Sequence, residues 1–199
     1  MARPKAFDTM VALDAAVEVF WRYGFEGASI NRLLDEMKIS RASMYSTYGD
    51  KDALFTQALS RYHARIIGPL LEPLFDRSVE GARALQSVLS ARIDQLFDDT
   101  TPAGCLIAVA SVECGHNESS ALERQLLDML ADFESGFYQA VRRAQIDGVV
   151  DKYEDPLQLG RVFANHAQGL AVMARSGAER RVLLDLNRWM LVQCGVLKG

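Results

Sequence analysis

The chain has 199 residues, 49% of them hydrophobic and 24% charged, which supplies a core and excludes disordered and fibrous classes. No apolar run nears the roughly 18 residues of a membrane span, and three cysteines argue against a disulfide framework and for a reducing cytoplasm. The net charge is −4, and residues 1–52 carry seven basic against eight acidic side chains, so any contact with nucleic acid must rest on a few placed charges rather than on bulk basicity.

The N-terminus starts basic with Arg3 and Lys5, but Asp8 and Asp14 arrive before any apolar stretch, unlike a secretion signal. Met10, Leu13, Val17, Phe20 and Gly24 then recur at helical spacing. Gly24-Phe25-Glu26-Gly27 is a stop signal. Ser29 caps a second helix with Ile30, Leu33, Leu34 and Met37 facing inward, and Ser40 caps a third, very short one. Gly49 ends it. Asp50 caps a fourth helix with Leu54, Phe55, Ala58, Leu59 and Tyr62 inside. Gly68-Pro69 and Glu72-Pro73 interrupt the pattern, because two prolines four apart do not suit an undisturbed helix interior. The expected division is an N-terminal unit over residues 1–52, a connecting fourth helix over 50–67, and a second unit over 53–199.

Further helices are expected over 78–98, 104–114 and 118–147, the last capped by Asn117 or Ser119, with Thr100-Thr101-Pro102 and Asp147-Gly148 as breaks. Asp155-Pro156 opens a helix to Ser176-Gly177, and a last one covers 178–197. Val149-Val150 is too short for a strand, so the chain is all-α.

The segment from Ser29 to Lys51 carries the most specific chemistry. Two short helices joined by Met37-Lys38-Ile39 make a helix-turn-helix, whose second helix enters a major groove about 12 Å wide with its N-terminal residues leading. Those residues are Ser40, Arg41, Ala42 and Ser43; Arg41 suits a guanine edge and its small neighbours permit close approach. Tyr45 and Tyr48 are three apart, so one ring can pack inward while the other hydroxyl faces a phosphate. Lys51, beside the start of the fourth helix, can hold a phosphate together with free backbone N–H groups.

Phe20, Gly24-Phe25, Ala28-Ser29-Ile30, Ile39-Ser40-Arg41, Tyr45, Tyr48, Lys51 and Leu54-Phe55 stand in an order and spacing that resembles the TetR family of bacterial transcriptional regulators. The resemblance covers residues 7–60, and beyond them only helix count and break positions agree. The chain departs from it at Lys38, where the family's turn often has glycine; a non-glycine residue held left-handed costs about 1 kcal/mol. The DNA-contacting set is then Ser29, Lys38, Ser40, Arg41, Ala42, Ser43, Tyr45, Tyr48 and Lys51.

The resemblance implies a homodimer through the last two helices (about 156–177 and 178–197), matching a two-fold operator with half-sites about 34 Å apart. On the first of these helices Gly160, Phe163, Ala164, Ala167, Leu170, Ala171 and Ala174 offer a close-packing face, and on the second Leu183, Leu186, Trp189, Met190 and Val196. It also implies a repressor released by a small, mostly apolar or aromatic effector. Candidate lining residues are Phe97, Cys105, Ile107, Glu113, Phe133, Phe137, Tyr138, His166 and Met173. Glu113 and His166 stand out as polar groups on apolar stretches that need partners. Cys105, at a helix start, opens an alternative in which a redox or electrophile signal acts on its thiol. A helical interaction module that never touches DNA is a further alternative, as is an all-helical enzyme. No nucleophile, nucleotide or metal motif supports the enzyme; Cys105, Cys114 and His116 lack metal-site spacing, and no cofactor is expected.

Overall fold

A computed structural model describes residues 7–114 and 121–198. In order these form α1 (Thr9–Gly27), α2 (Ile30–Met37), α3 (Arg41–Tyr48), α4 (Lys51–Tyr62), a π-helical turn (His63–Ile67), α5 (Gly68–Phe75), α6 (Gly81–Leu96), α7 (Leu106–Cys114), α8 (Ala121–Ile146), α9 (Pro156–Arg175) and α10 (Arg180–Gln193). Among the described residues there is no strand, and no helix is long and apolar enough to cross a membrane. Asn117, Ser119 and His116, and Arg3 and Lys5 at the N-terminus, lie outside the described residues.

The expected caps hold the helix starts. Ser29 Oγ accepts from the Arg32 amide, Ser40 Oγ from that of Ser43, and an Asp50 carboxylate oxygen from that of Ala53 at 2.8 Å. Asp155 does the same for α9, with Pro156 in its first turn; these bonds satisfy amides that have no partner inside the helix. Leu54, Phe55, Ala58, Leu59 and Tyr62 are all fully buried, as the α4 periodicity predicts. Met10, placed by spacing on the inner face of α1, is 48% exposed, because it sits in the first turn before neighbouring elements cover the helix.

The prolines do not interrupt the helical path as expected. The chain runs from α4 through the π turn into α5 without a break, with Pro69 in the first turn of α5 and Pro73 inside it. The π turn shifts the backbone pairing so that the Gly68 amide bonds the His63 carbonyl, and a proline near a helix start lacks only an amide that would be unpaired there anyway. One continuous helical path therefore joins the helix-turn-helix to the rest of the chain.

α8 and α9 pack as an antiparallel pair. Phe137 and Phe163 stack with centroids 5.8 Å apart, and Gly160 lets the α9 backbone approach Tyr138, where a Cβ would lie 3.0 Å from the main chain. Of the α9 face expected to meet a second copy, Gly160, Phe163, Ala167, Leu170, Ala171 and Ala174 are instead buried within the chain, and so are Leu183, Met190 and Val196. The face left open carries Val162, Asn165 and Gly169 on α9, with Leu186 and Trp189 on α10, Trp189 being 63% exposed. Helical periodicity marks a packed face without saying which molecule packs on it.

Asp14 of α1 accepts from Arg61 Nε at 2.7 Å and Nη2 at 3.0 Å, and pairs with Arg65 Nη1 at 2.8 Å. The Arg61 hydrogen bond, with the Arg65 charge added, outweighs burial and holds the Asp14 carboxyl below its ordinary value of 3.8. A lowered carboxylate pKa stabilises the fold fully above about pH 4, and that contribution is lost as pH falls through the lowered value. Asp14→Asn is expected to cost about 1 kcal/mol at pH 7, as for a partly exposed ion network, and the difference from wild type is expected to vanish in acid; urea unfolding at both pH values measures it.

Candidate functional site

The turn between α2 and α3 takes the conformation that its sequence makes costly. Lys38 lies at φ 54°, ψ 42°, and is the only non-glycine residue with positive φ among the described residues. Its amide bonds the Leu34 carbonyl, closing α2 so that α3 can leave at an angle. Ser40 caps α3 and its Oγ lies 2.9 Å from Ser43 Oγ, while Arg41 is exposed and its Nη2 donates to Asn31 Oδ1 at 2.9 Å. The leading edge of α3 thus carries two serines, the small Ala42 and a guanidinium held by α2. Asn31 was not legible as a partner, because the contact spans two helices whose crossing the sequence does not state.

Of the two tyrosines, Tyr48 packs inward, is 5% exposed, and donates its hydroxyl to the Thr9 carbonyl at 2.7 Å. It anchors the end of α3 to the start of α1. Tyr45 is exposed on the same side as the leading edge of α3. Ser29 is exposed and caps α2, and Arg32 donates to the Gly27 carbonyl while lying 3.9 Å over the Tyr23 ring. Lys51 lies 4.3 Å over the Phe25 ring at the N-terminus of α4.

The effector candidates do not share one site. Phe137 is sealed in the core, Phe97 closes α6, Phe133 and Met173 sit on α8 and α9, and His166 is half-buried on α9, where burial lowers its pKa. Cys105 and Glu113 do meet, in a cleft of about 260 Å³ between α7 and α9 that Ala108, Val109, Val112, Ala171, Val172 and Arg175 also line. Glu113 has found the partner that the sequence said it needed: its Oε2 accepts the Phe25 amide at 2.6 Å. Gly24 beside it breaks α1 at φ 74°, ψ −179°, and a Cβ there would lie 2.2 Å from Glu113 Oε1. Arg175, the last residue of α9, donates to the carbonyls of Trp21 at 2.8 Å, Arg22 at 3.1 Å and Ala103 at 3.3 Å. Two long-range side chains therefore hold the end of α1, and Arg175 had no sequence signal, since exposed arginines at helix ends are ordinary.

A second unforeseen feature is Arg92, fully buried on α6. Its Nη1 donates to Gln95 Oε1 at 2.8 Å, but Nε and Nη2, like the buried Tyr62 hydroxyl, have no hydrogen-bond partner among the described residues, and no carboxylate pairs with the charge. The group beside it is Cys105. Burial alone pushes that thiol up, but the neighbouring Arg92 charge and the Ala108 amide outweigh it and hold the thiol below its ordinary value. Burial and neighbouring charge push the other two thiols, Cys114 and Cys194, up.

Residues 12–58 match the family described as bacterial regulatory proteins, tetR family. Over 189 residues the chain is 30% identical to an HTH-type transcriptional regulator of Bacillus subtilis, YezE, spanning 93% of this chain and 95% of that one. It is 28% identical to the HTH-type transcriptional repressor ComR of Escherichia coli over 186 residues, 92% of this chain and 87% of that one. Among solved structures it is similar to cysteine-substituted TetR family regulator CifR in complex with 26-bp double-strand operator DNA, with 29% identity, TM-score 0.85, and 96% and 98% of the two chains covered.

Lys38→Gly is expected to raise the unfolding free energy by about 0.5–1 kcal/mol, the left-handed strain less the entropy glycine adds to the unfolded chain. Thermal or urea unfolding checks the sign.

Proposed function

The chain belongs to the TetR family of bacterial regulatory proteins and is a DNA-binding transcriptional regulator, and from that premise we propose that it is a homodimeric repressor released from its operator by a small effector. The observation that carries the reading is the leading edge of α3: Ser40, Arg41 and Ala42 exposed, with Ser43 half-buried beside them, at the capped end of a short helix whose other face, through Met44 and Tyr48, is locked into the core. That helix enters the major groove, and Arg41 exchanges Asn31 for a base edge. Lys38, Tyr45 and Lys51 reach phosphates, Ser29 sets the start of α2, and Tyr48 acts by anchoring α3 to Thr9. Residues 1–52 are the DNA-binding unit and 53–199 the regulatory unit, joined by the continuous path from α4. The exposed face of Val162, Asn165, Gly169, Leu186 and Trp189 meets the same face of a second copy, placing two α3 helices on one side of a duplex. The repressor relative and the operator-bound neighbour support this direction of control.

Arg41→Ala is expected to weaken binding to the operator by about 1–3 kcal/mol while leaving affinity for a scrambled duplex little changed. Fluorescence anisotropy at fixed salt on the DNA adjoining the gene tests it. Equal losses on both duplexes would make Arg41 a phosphate contact instead.

Arg92 favours a second reading of the signal, in which the effector is an electrophile or oxidant acting on Cys105. A buried guanidinium without a carboxylate is costly, and a Cys105 thiolate supplies its counter-charge. In a Cys114→Ser/Cys194→Ser protein, iodoacetamide is expected to label Cys105 at pH values where ordinary thiols are unreactive, and the labelled protein to lose operator affinity. Unchanged affinity after full labelling would end this reading.

A further inference from the structure

The end of α1 is held from outside the helix-turn-helix by two residues, Arg175 and Glu113, and both line the cleft between α7 and α9. We propose that this cleft is the effector site, that it takes a small apolar molecule bearing a carboxylate, and that the molecule acts by drawing Arg175 off the α1 carbonyls. The proposal rests on the regulator reading above and adds the ligand class and the route of control.

The walls are apolar. Ala108, Val109 and Val112 come from α7 and Ala171 and Val172 from α9, and Val112 and Val172 are 75% and 53% exposed at its rim. At about 260 Å³ the cleft lies below the range of drug-sized sites and suits about ten non-hydrogen atoms. Its charges are not equivalent. Glu113 is committed: both oxygens crowd the place where a Gly24 side chain would stand, and one accepts the Phe25 amide at 2.6 Å. Arg175 spends Nη1 and Nη2 on three main-chain carbonyls, leaves Nε unspent, and has no carboxylate partner among the described residues. A guanidinium binds carboxylate more strongly than neutral carbonyl oxygen, so an anionic head in the cleft competes for it directly. Two of those carbonyls, on Trp21 and Arg22, belong to the last helical turn of α1 before its break, and the third is that of Ala103. Freeing them uncouples α9 from α1, and α1 carries α3 through the bond between Tyr48 and Thr9.

Trp21 provides a readout independent of DNA, since its carbonyl accepts from Arg175 and its indole donates to the Gly104 carbonyl at 3.2 Å. The chain has two tryptophans, so a Trp189→Phe protein reports Trp21 alone. Octanoate is the probe, with 1-octanol and octylamine as neutral and cationic controls. The expected result is a saturable change in Trp21 emission with octanoate that weakens about tenfold or more in Arg175→Met, the size of a lost charge-assisted hydrogen bond, and is absent with the two controls. The same octanoate is expected to lower operator affinity of the wild type. An equal response to octanol, an unaltered octanoate response in Arg175→Met, or no saturable change would overturn the site. Saturable binding without change in operator affinity would overturn the route of control. Failure of the unliganded protein to bind any operator would contradict the regulator reading and leave the Trp21 titration to judge the cleft by itself.

Discussion

Gly24 turns the chain at φ 74°, ψ −179°, a conformation closed to residues with a Cβ, and the space such a Cβ would fill is taken by the Glu113 carboxylate. The Phe25 amide beside that turn donates to Glu113, and the Trp21 and Arg22 carbonyls before it accept from Arg175. One backbone break is thus held by two side chains from α7 and α9, outside the helix-turn-helix. The Phe25 ring stacks with Phe20, packs on Phe55 and lies beneath Lys51, so the same junction sets the core of the helix-turn-helix and the start of α4. A second tie, Asp14 with Arg61 and Arg65, fixes the middle of α1 to α4 and the π turn. α1 is therefore the member through which both units feel each other.

The charge arithmetic fits this arrangement. A net charge of −4 gives the chain no general affinity for a polyanion, so recognition depends on presenting few cations rigidly. Capping serves that end. Ser40 fixes α3, Asp50 fixes α4, and the left-handed Lys38 sets the angle between α2 and α3. The cations proposed to meet DNA rest on weak partners, Arg41 on Asn31 and Lys51 on Phe25. Such contacts order a side chain while costing little to exchange for a base edge or phosphate.

Sequence reasoning reads local physics well here and long-range physics poorly. The caps at Ser29, Ser40, Asp50 and Asp155, the strained turn at Lys38 and the buried face of α4 follow from residues within a few positions of one another. The proline pair reads as an interruption in sequence, because a π turn that reshapes the pairing ahead of Pro69 leaves no mark in periodicity. The packing face of α9 was legible, but its partner was not: spacing cannot separate α8 from a second copy. Glu113 stands out in sequence as a charge in need of a partner, yet the partner, an amide 88 residues away, comes only from the fold. Arg92 was missed for the same reason, since a fully buried arginine looks in sequence like any charge on an amphipathic helix.

Glu113 lies on α7, outside the helix-turn-helix, so its effect on DNA is the most direct test of α1 as the coupling member. Operator affinity at fixed salt would be compared for wild type, Glu113→Ala and the neighbouring, exposed Val112→Ala, each with helix content verified by circular dichroism. The account predicts a shift of about fivefold or more for Glu113→Ala, the lower end of typical coupling energies, and none for Val112→Ala. Wild-type affinity in a folded Glu113→Ala protein would contradict it.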